Sequence, residues 1–393
     1  MPAEDEMNIN ERRKYVRLMK PRYQKASRKE RGKLLSEMEE ITGLHRKSVT
    51  RLLHAPSLAR QKRQTPRPRT YGKEVEAVIV RVWESLDYVC AERLTPVLLA
   101  TARHLAGFAE VRLTEPVEEQ LAHISRATVS RLLRKHRSQR RRLPQRGAER
   151  ANQATKGVPM GRIAWDIAEP GHCEVDLVHH SGESSSGEYA HTLQVVDVKT
   201  GWSERVAVMG RGQQAMEGGF RRILERIPFA IQELHPDNGS EFFNQHLKRY
   251  WKEKVPGVQL SRSRPYHKND NRNVEQKNDT LVRQYFGQLR FETPAQLAEV
   301  NAIYELMWVY YNLFQPVMHL VAKEMAGDHL RRKWDAAQTP YARLKATGML
   351  SPAQQQRLQT LYDQTNPRAL RQEIYQRLAL LYEQATAPQE QAA

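Results

Sequence analysis

Apolar residues recur with two different periods through the middle of the chain, and the order of those periods predicts the fold. Strand-like runs come first, at 172–178, 188–198 and 202–210. Five further segments then alternate between helix and strand, at 213–227, 230–236, 240–254, 258–265 and 272–287. Strands that alternate with helices in this way favour an α/β domain, here with five strands in its sheet.

The N-terminal part has helical periodicity instead. A helix capped by Ser27 ends at Gly43, and a short turn leads to a second helix that begins near Arg46. The apolar residues of this second helix face inward, which leaves a polar set exposed: Arg46, Lys47, Ser48, Thr50 and Arg51. This pattern is typical of a helix-turn-helix motif, whose second helix enters the major groove of DNA. An ordinary helical hairpin is the alternative.

A second unit of the same kind lies at residues 121–135. Its segment 128–133 repeats the pattern of 48–53, and Ser125 is placed to cap the helix. The exposed positions that we expect to face DNA are Arg126, Thr128, Ser130 and Arg131. Two similar basic units favour DNA binding more strongly than either does alone.

The composition between these segments predicts the domain boundaries. Two strongly basic stretches, the first of them also rich in Pro, are predicted as linkers, since such a composition cannot bury a core. The predicted order is a helix-turn-helix domain at 1–56, a linker at 57–73, a second helical DNA-binding domain at 74–137, a linker at 138–159, a catalytic core at 160–320 and a helical C-terminal region with a disordered tail at 321–393. Within the first domain, a basic helix at 11–25 is expected to break near Pro21.

Charge separates the two halves of the chain. Residues 1–150 hold 34 Lys and Arg against 18 Asp and Glu, whereas residues 151–393 hold 29 against 27. Of the net charge of +18, the first part therefore carries 34 − 18 = +16. A basic surface of this size indicates a nucleic-acid partner, and double-stranded DNA is the better fit because no aromatic residues are interleaved for stacking on single strands. A merely solvated basic face is the alternative.

Two classes of protein are disfavoured. No run approaches the roughly 18 apolar residues of a membrane span, and the N-terminus lacks an apolar signal core. Only two cysteines occur, so neither a disulfide framework nor a structural zinc cluster is expected. The adjacent His179 and His180 point to opposite faces of a strand, which also disfavours zinc. We expect a cytoplasmic protein without a membrane partner.

Three acids stand out in the central domain. Asp176 lies on the first predicted strand, Asp237 ends the fourth, and Glu275 lies on the last helix. They are separated by 61 and then 38 positions, yet a sheet can bring strand ends and a nearby helix together. Carboxylate oxygens are the ligands that Mg²⁺ and Mn²⁺ prefer, so these acids predict a metal site.

The sequence around these acids carries a family resemblance. The relevant segments are Glu174-Val175-Asp176 with His179-His180, then 235–242, 263–271 and 273–278, which reads Asn-Val-Glu-Gln-Lys-Asn. Residues 160–320 resemble the catalytic core of the retroviral integrase superfamily, and more closely the bacterial insertion-sequence transposases with an Asp-Asp-Glu triad. The 37 residues between Asp237 and Glu275 slightly exceed the spacing expected from the resemblance, and a longer loop can absorb them.

The resemblance implies a fold and an activity. The fold would be a ribonuclease-H-like core with a mixed five-stranded sheet. The activity would be cleavage and strand transfer of transposon-end and target DNA by a homo-oligomer, with two Mg²⁺ or Mn²⁺ ions. Asp176 would bridge the ions, and Asp237 and Glu275 would hold one each. Four polar residues around the glutamate could hold phosphates: Lys268, Asn269, Arg272 and Lys277. A solvated basic loop is the alternative for these four.

Other assignments stay open at this point. Glu174 points to the same face of its strand as Asp176 and could be a ligand, and Asp270 or Asp279 could replace Glu275. Asp197 and Glu204 are interpreted as ordinary polar-face residues. The alternative functions are a catalytically inactive DNA-binding regulator derived from a transposase and a ribonuclease-H-type nuclease without strand transfer.

Overall fold

The computed structural model describes residues 7–58, 70–139, 160–161, 167–236, 242, 245–263, 270–326 and 329–386. The chain forms two compact units, Met1–Thr70 and Tyr71–Ala393. The smaller unit contains helices α1 (Ile9–Lys25), α2 (Arg28–Thr42) and α3 (Arg46–His54), packed around a small apolar core. None of the described helices is long and apolar enough to cross a lipid bilayer.

The helix ends in the smaller unit follow the predicted signals. The Ser27 side chain accepts from the backbone N–H of Glu30, and the Glu30 carboxylate accepts from the backbone of Ser27 in return. Gly43 ends α2 in the left-handed region with φ of 63°. The predicted break near Pro21 is wrong, since α1 is continuous through it. Apolar packing of α1 on α2 and α3 offsets the hydrogen bond that proline cannot make.

The larger unit contains the remaining elements. Its helices are α4 (Lys73–Ser85), α5 (Ala91–Gly107), α6 (Glu115–His123), α7 (Arg126–Leu133), α8 (Gln213–Arg226), α9 (Gln245–Lys254), α10 (Arg272–Lys277), α11 (Gln284–Phe286), α12 (Pro294–Val309), α13 (Pro340–Ala346), α14 (Pro352–Gln364) and α15 (Pro367–Thr386). Its strands are β1 (Met160–Gly161), β2 (His172–His179), β3 (Ala190–Asp197), β4 (Ser203–Met209), β5 (Glu233–Pro236), β6 (Gln259–Leu260), β7 (Arg262–Ser263), β8 (Leu320–Ala326) and β9 (His329–Trp334). A short 3₁₀ segment (Arg134–Gln139) follows α7, and π-helical segments follow α10 (Asn278–Arg283) and α12 (Tyr310–Phe314).

The predicted mixed five-stranded sheet is confirmed. Its strands lie in the order β4-β3-β2-β5-β6. The pairs β4–β3 and β3–β2 are antiparallel, and the pairs β2–β5 and β5–β6 are parallel. This arrangement, with helices on both sides, fits the integrase-like core that the resemblance implies. The predicted fifth strand is interrupted at Ser261, and its second half pairs with β1 in a separate two-stranded sheet.

Alternation along β2 divides the core between the two faces of the sheet. Cys173, Val175 and Leu177 pack in one apolar cluster with α8. Val178 belongs to a second cluster formed by the segments from 281 to 311 and α15. Successive strand residues point to opposite faces, so Glu174 and Asp176 share the face of Val178. Both acids therefore point toward the side where α10 and α12 lie.

Helices α4 to α7 pack within the same unit as the sheet. Their apolar side chains form one continuous cluster with residues of the sheet, α8 and α14. Polar contacts join the same parts, including a bond of 2.7 Å from the Tyr310 hydroxyl to the Ser85 carbonyl. The domain boundaries predicted inside Tyr71–Ala393 stay predictions, because the structure gathers these segments into one compact unit.

Asp87 ties three parts of this unit together from the turn between α4 and α5. Its carboxylate accepts hydrogen bonds from the Tyr285 hydroxyl at 2.9 Å, the Tyr375 hydroxyl at 3.0 Å and the Arg371 guanidinium at 2.9 Å. The Arg371 guanidinium also lies 4.9 Å from the centre of the Tyr88 ring. Asp87 itself has φ of 55°, in the left-handed region that Asn and Asp tolerate best among non-glycine residues.

We expect Asp87→Asn to destabilise the larger unit by about 2 kcal/mol, since charge-assisted hydrogen bonds are worth roughly 1.5–3 kcal/mol and Arg371 loses its partner. Asparagine keeps the left-handed backbone, so the variant isolates the charge. Urea unfolding followed by tryptophan fluorescence measures the difference. Glu84→Gln is the matched control, because its ion pair with Arg81 is more exposed and should change stability by less than about 0.5 kcal/mol. Equal shifts in both variants would refute the special role of Asp87.

The C-terminal region departs from the prediction. A helical region was expected after residue 320, but β8 and β9 form an antiparallel hairpin before α13 begins. Both faces of this hairpin are largely exposed, so the alternation of apolar and polar residues that marks a half-buried strand is absent. Beyond it the chain is helical as predicted, with helices starting at Pro352 and Pro367.

Candidate active site

The site begins with two acids on the central strand of the sheet. Asp176 lies opposite Gln194 of β3, and Glu174 lies opposite His235 of β5. Asp176 is half-buried, whereas Glu174 is only 2% exposed. The two positions therefore differ in environment: the carboxylate of Asp176 is partly accessible to solvent, whereas that of Glu174 is enclosed by protein.

Glu174 holds the beginning of helix α10. One carboxylate oxygen accepts from the backbone N–H of Asn273 at 2.7 Å and of Val274 at 2.9 Å. The other oxygen accepts from the Asn273 side-chain amide at 2.7 Å. The first N–H groups of a helix have no partner within the helix, so a carboxylate there stabilises it. Glu174 thus fixes one end of α10 to the centre of the sheet.

Burial and hydrogen bonding act in opposite directions on this group. Burial raises the pKa of Glu174 to about 7, while the hydrogen bonds from Val274 and Asn273 oppose the rise. With its oxygens engaged by α10, Glu174 orients the helix, and the alternative that it serves as a metal ligand loses support.

Asp176 contacts the segment that follows α10. Its carboxylate accepts from the Asn278 side-chain amide at 2.5 Å and from the backbone N–H of Leu177 at 2.8 Å. Asn278 lies three positions after Glu275, and residues three apart on a helix share a side. Glu275 is exposed on this helix. The contacts at both ends of α10 therefore bring the side of Glu275 to the strand position of Asp176.

Several predicted site residues lie outside the described residues. They are Asp237, Lys268 and Asn269. The strand that precedes Asp237 is described: β5 runs parallel to β2 and ends at Pro236, which lies opposite Val175. In sequence, Asp176 follows Val175 on β2, and Asp237 follows Pro236, the last residue of β5.

Behind Asp176, the sheet carries a buried polar row. Gln194 lies opposite Asp176, and Arg205 of β4 lies opposite Gln194. Arg205 is 1% exposed, and its guanidinium lies 5.6 Å from the centre of the Tyr311 ring. The ammonium of Lys277 lies 4.9 Å from the same ring centre. The ammonium of Lys277 therefore faces the protein interior, which argues against the predicted phosphate contact of this residue.

The environment of Lys277 favours its neutral form. Burial lowers the pKa of Lys277 to about 7, and the charges of Arg93 and Arg205 act in the same direction. Arg272, at the start of the same helix, is half-buried.

Other acids and histidines of the core have structural partners. Asp197 accepts from the backbone of Gly171 and Thr200, and Glu204 accepts from Trp202, Trp308 and Arg226. Interpreting these two acids as ordinary polar-face residues was wrong, since both are nearly fully buried. Three histidines of the motifs are also enclosed in part: His180 bonds Thr192 at 2.7 Å, His235 bonds Ser261 at 2.7 Å, and His179 contacts the His191 ring.

The polar residues predicted to face DNA on α3 differ in exposure. Lys47 and Arg51 are exposed one turn apart, whereas Ser48 and Thr50 are half-buried. Arg46 is engaged by α2, donating to the Ser36 hydroxyl at 2.9 Å and the Gly32 carbonyl at 3.1 Å. The exposed pair is therefore better placed for a polyanion than Arg46.

On α7 the arrangement is similar. Arg126 and Arg131 are exposed, while Thr128 and Ser130 are half-buried. Ser125 caps the helix as predicted, accepting from the backbone N–H of Thr128. The helix-turn-helix assignment and its DNA contacts stay predictions for both segments, the one that contains α3 and the one that contains α7.

The donors present fit a hard divalent cation. Asp176 and Glu275 supply carboxylate oxygens, and the buried side-chain oxygen of Asn278 accepts no hydrogen bond from the described residues. Within the described part of the chain, no three His, Cys, Asp or Glu side chains are grouped closely enough to hold an ion. Oxygen donors are the ligands that Mg²⁺ and Mn²⁺ prefer, so these residues fit the predicted metal site in their chemistry, and the site itself stays a prediction.

Sequence reasoning missed Asn278 as a partner of Asp176 and Glu174 as the cap of α10. The signal for Asn278 was its position three residues after Glu275, on the same side of the helix. The partner of Glu174 is 99 positions away in sequence, and no local pattern indicates such a contact.

Comparison with known proteins adds a relative. No model of a known protein family matches the chain. The crystal structure of the catalytic core domain of BIV integrase aligns over 45% of this chain and 95% of its own length, with 16% identity and a TM-score of 0.30, a likeness too low to support a conclusion. Uncharacterized protein y4rM of Sinorhizobium fredii (strain NBRC 101917 / NGR234) is 32% identical over 327 residues, which cover 82% of this chain and 91% of the relative. The chain therefore belongs to the same family as protein y4rM.

Proposed function

We propose that this protein is a DNA transposase that cleaves and joins DNA at an Asp-Asp-Glu site formed by Asp176, Asp237 and Glu275. The observation that carries the proposal is the attachment of helix α10 to β2 at both ends. Glu174 holds the start of the helix, and Asn278 bonds Asp176 just beyond its end. This attachment supports the proposal, because Asn278, which bonds half-buried Asp176, lies on the same side of the helix as exposed Glu275.

The three acids would hold the divalent ions of the reaction. Bound Mg²⁺ or Mn²⁺ would neutralise charge on the scissile phosphate and activate an oxygen nucleophile. Two contacts support these roles: the bond from Asn278 to Asp176, and the capping by Glu174 of the helix that carries Glu275. Asp237 enters the proposal through its sequence position, directly after the strand that runs parallel to β2.

The DNA contacts are assigned to the basic N-terminal helices. Each predicted helix-turn-helix motif has a short helix with a buried apolar side and an exposed pair of cations. The pairs are Lys47 with Arg51 on α3 and Arg126 with Arg131 on α7. Arg272, Lys268 and Asn269 would meet phosphates near the scissile bond. A homo-oligomer is proposed because two transposon ends must be processed together.

The test is a cleavage and strand-transfer assay on labelled duplexes taken from the DNA that flanks the coding region, with Mg²⁺ or Mn²⁺. The wild-type protein should give metal-dependent joined products. Glu275→Gln should reduce them by at least about a hundredfold, because it removes a preorganised charge without changing the shape of the side chain.

Asp279→Asn serves as the matched control, since this exposed acid lies one helical turn from Glu275 and accepts a bond of 3.3 Å from Gln284. Its products should equal those of the wild type. Specific DNA binding without cleavage under either metal would instead favour the inactive regulator. Cleavage without joined products would favour the nuclease.

A further inference from the structure

The hairpin formed by β8 and β9 is exposed on both faces. Met325 is 68% exposed, Trp334 is 47% exposed and Val321 is 46% exposed. An isolated two-stranded hairpin is marginally stable in water, which favours a binding partner for these exposed strands. The exposure of both faces distinguishes this hairpin from the five-stranded sheet, which is covered on both sides.

Three consecutive cations distribute positive charge over both faces. Arg331, Arg332 and Lys333 are exposed on β9, and none forms an ion pair with a described acid. Successive strand residues point to opposite faces. Arg331 and Lys333 therefore lie on one face, where Glu324 is the register partner of Arg331, and Arg332 lies on the other face. The ribbon is thus basic on both faces.

The base of the hairpin is anchored near the candidate active site. The Asp335 carboxylate accepts from the backbone N–H of His319 at 2.7 Å and from the Arg343 guanidinium at 2.7 Å. Arg343 also donates to the carbonyl of Val317 at 3.0 Å, and Val317 packs in the same apolar cluster as Tyr311. The ammonium of Lys277 lies 4.9 Å from the centre of the Tyr311 ring. Lys277 lies two positions after Glu275. The base of the hairpin is therefore held near α10, and its exposed basic strands extend from this base.

We infer that the β8–β9 hairpin is a DNA-binding arm that enters a groove of the duplex processed at the acidic site. A two-stranded ribbon fits the major groove of B-form DNA. Each wall of a groove carries a phosphate strand, so a ribbon lying in it meets negative charge from two sides. This matches cations on both faces, whereas a protein partner seated on one face would leave the other cations unused. The inference rests on the proposed action on DNA.

The experiment measures the affinity of the full chain for a fluorescent DNA duplex over a range of salt concentrations. The triple variant Arg331→Ala/Arg332→Ala/Lys333→Ala should bind on the order of 10- to 100-fold more weakly than the wild type. Its slope of log affinity against log salt should fall by about 2–3, since each lost phosphate contact removes roughly 0.9. All three side chains are exposed, so circular dichroism should match the wild type.

A control triple variant, Arg249→Ala/Lys252→Ala/Lys254→Ala, removes the same charge from exposed positions of α9. A larger loss in the hairpin variant than in this control supports the arm. Equal losses, or none in the hairpin variant, overturn it. A change in oligomeric state with unchanged DNA affinity would also overturn it, by indicating a self-association surface. If the wild type itself binds no duplex, that result contradicts the proposed function and therefore also the DNA-binding arm.

Discussion

Asp176→Asn is expected to abolish metal-dependent DNA cleavage while leaving DNA binding nearly intact. The aspartate lies on the central strand, half-buried, with one oxygen held by Asn278 at 2.5 Å. Asparagine preserves the shape of the side chain and an acceptor oxygen, but it removes the negative charge that would hold a divalent ion. We expect a fall in the single-turnover cleavage rate of at least about a hundredfold, the scale set by loss of one preorganised electrostatic group.

Two measurements on the same preparation make this result interpretable. Binding of a labelled transposon-end duplex should change by less than about twofold, because the exposed cations assigned to DNA contact lie on other elements. The midpoint of thermal unfolding should also stay close to that of the wild type. Loss of cleavage together with loss of binding would contradict the separation of end recognition from chemistry.

Truncation of Glu174 should slow cleavage through the position of helix α10. Glu174→Ala leaves the backbone N–H groups of Asn273 and Val274 without their carboxylate, which should cost about 2–3 kcal/mol of stability. The helix that carries Glu275 then loses its fixed distance from the sheet. Misplacement of a reacting group by about 1 Å can reduce a rate about a hundredfold. We expect a tenfold to hundredfold fall in the single-turnover rate at saturating DNA, with DNA affinity unchanged.

The conservative variant separates positioning from general destabilisation. In Glu174→Gln the amide oxygen can still accept from one backbone N–H of α10, so its rate should lie between those of the wild type and the alanine variant. Asp197→Asn is the matched control, since Asp197 is equally buried on the opposite face and accepts from the backbone of Gly171 and Thr200. It should lose stability while its folded fraction cleaves at the normal rate. A normal rate in Glu174→Ala would refute the positioning role.

The sequence alone determined the order of the central elements and many of their ends. The strands that contain Asp176 and precede Asp237 were predicted because their apolar residues are buried in the sheet and leave a strong local pattern. Helix ends at Ser27, Gly43 and Ser125 were predicted because capping depends on residues within four positions of each other. Both signals are local, so they can be recognised in the sequence without the tertiary structure.

The tertiary structure alone decided which distant groups meet. The carboxylate of Glu174 finds α10 across 99 positions, and Asp87 finds Arg371 across 284. The inward turn of Lys277 likewise depends on the packing of Tyr311 against α10. No local pattern encodes these contacts, because they follow from strand register and from the docking of helices on the sheet.

The hairpin of β8 and β9 is a second feature that the local sequence pattern did not predict. A strand is recognised in sequence when one face is buried and the other is solvated, which imposes a period of two. Both faces of this hairpin are exposed, so Arg331, Arg332 and Lys333 could follow one another without any alternation. Backbone pairing between β8 and β9, which is independent of side-chain pattern, decided that segment.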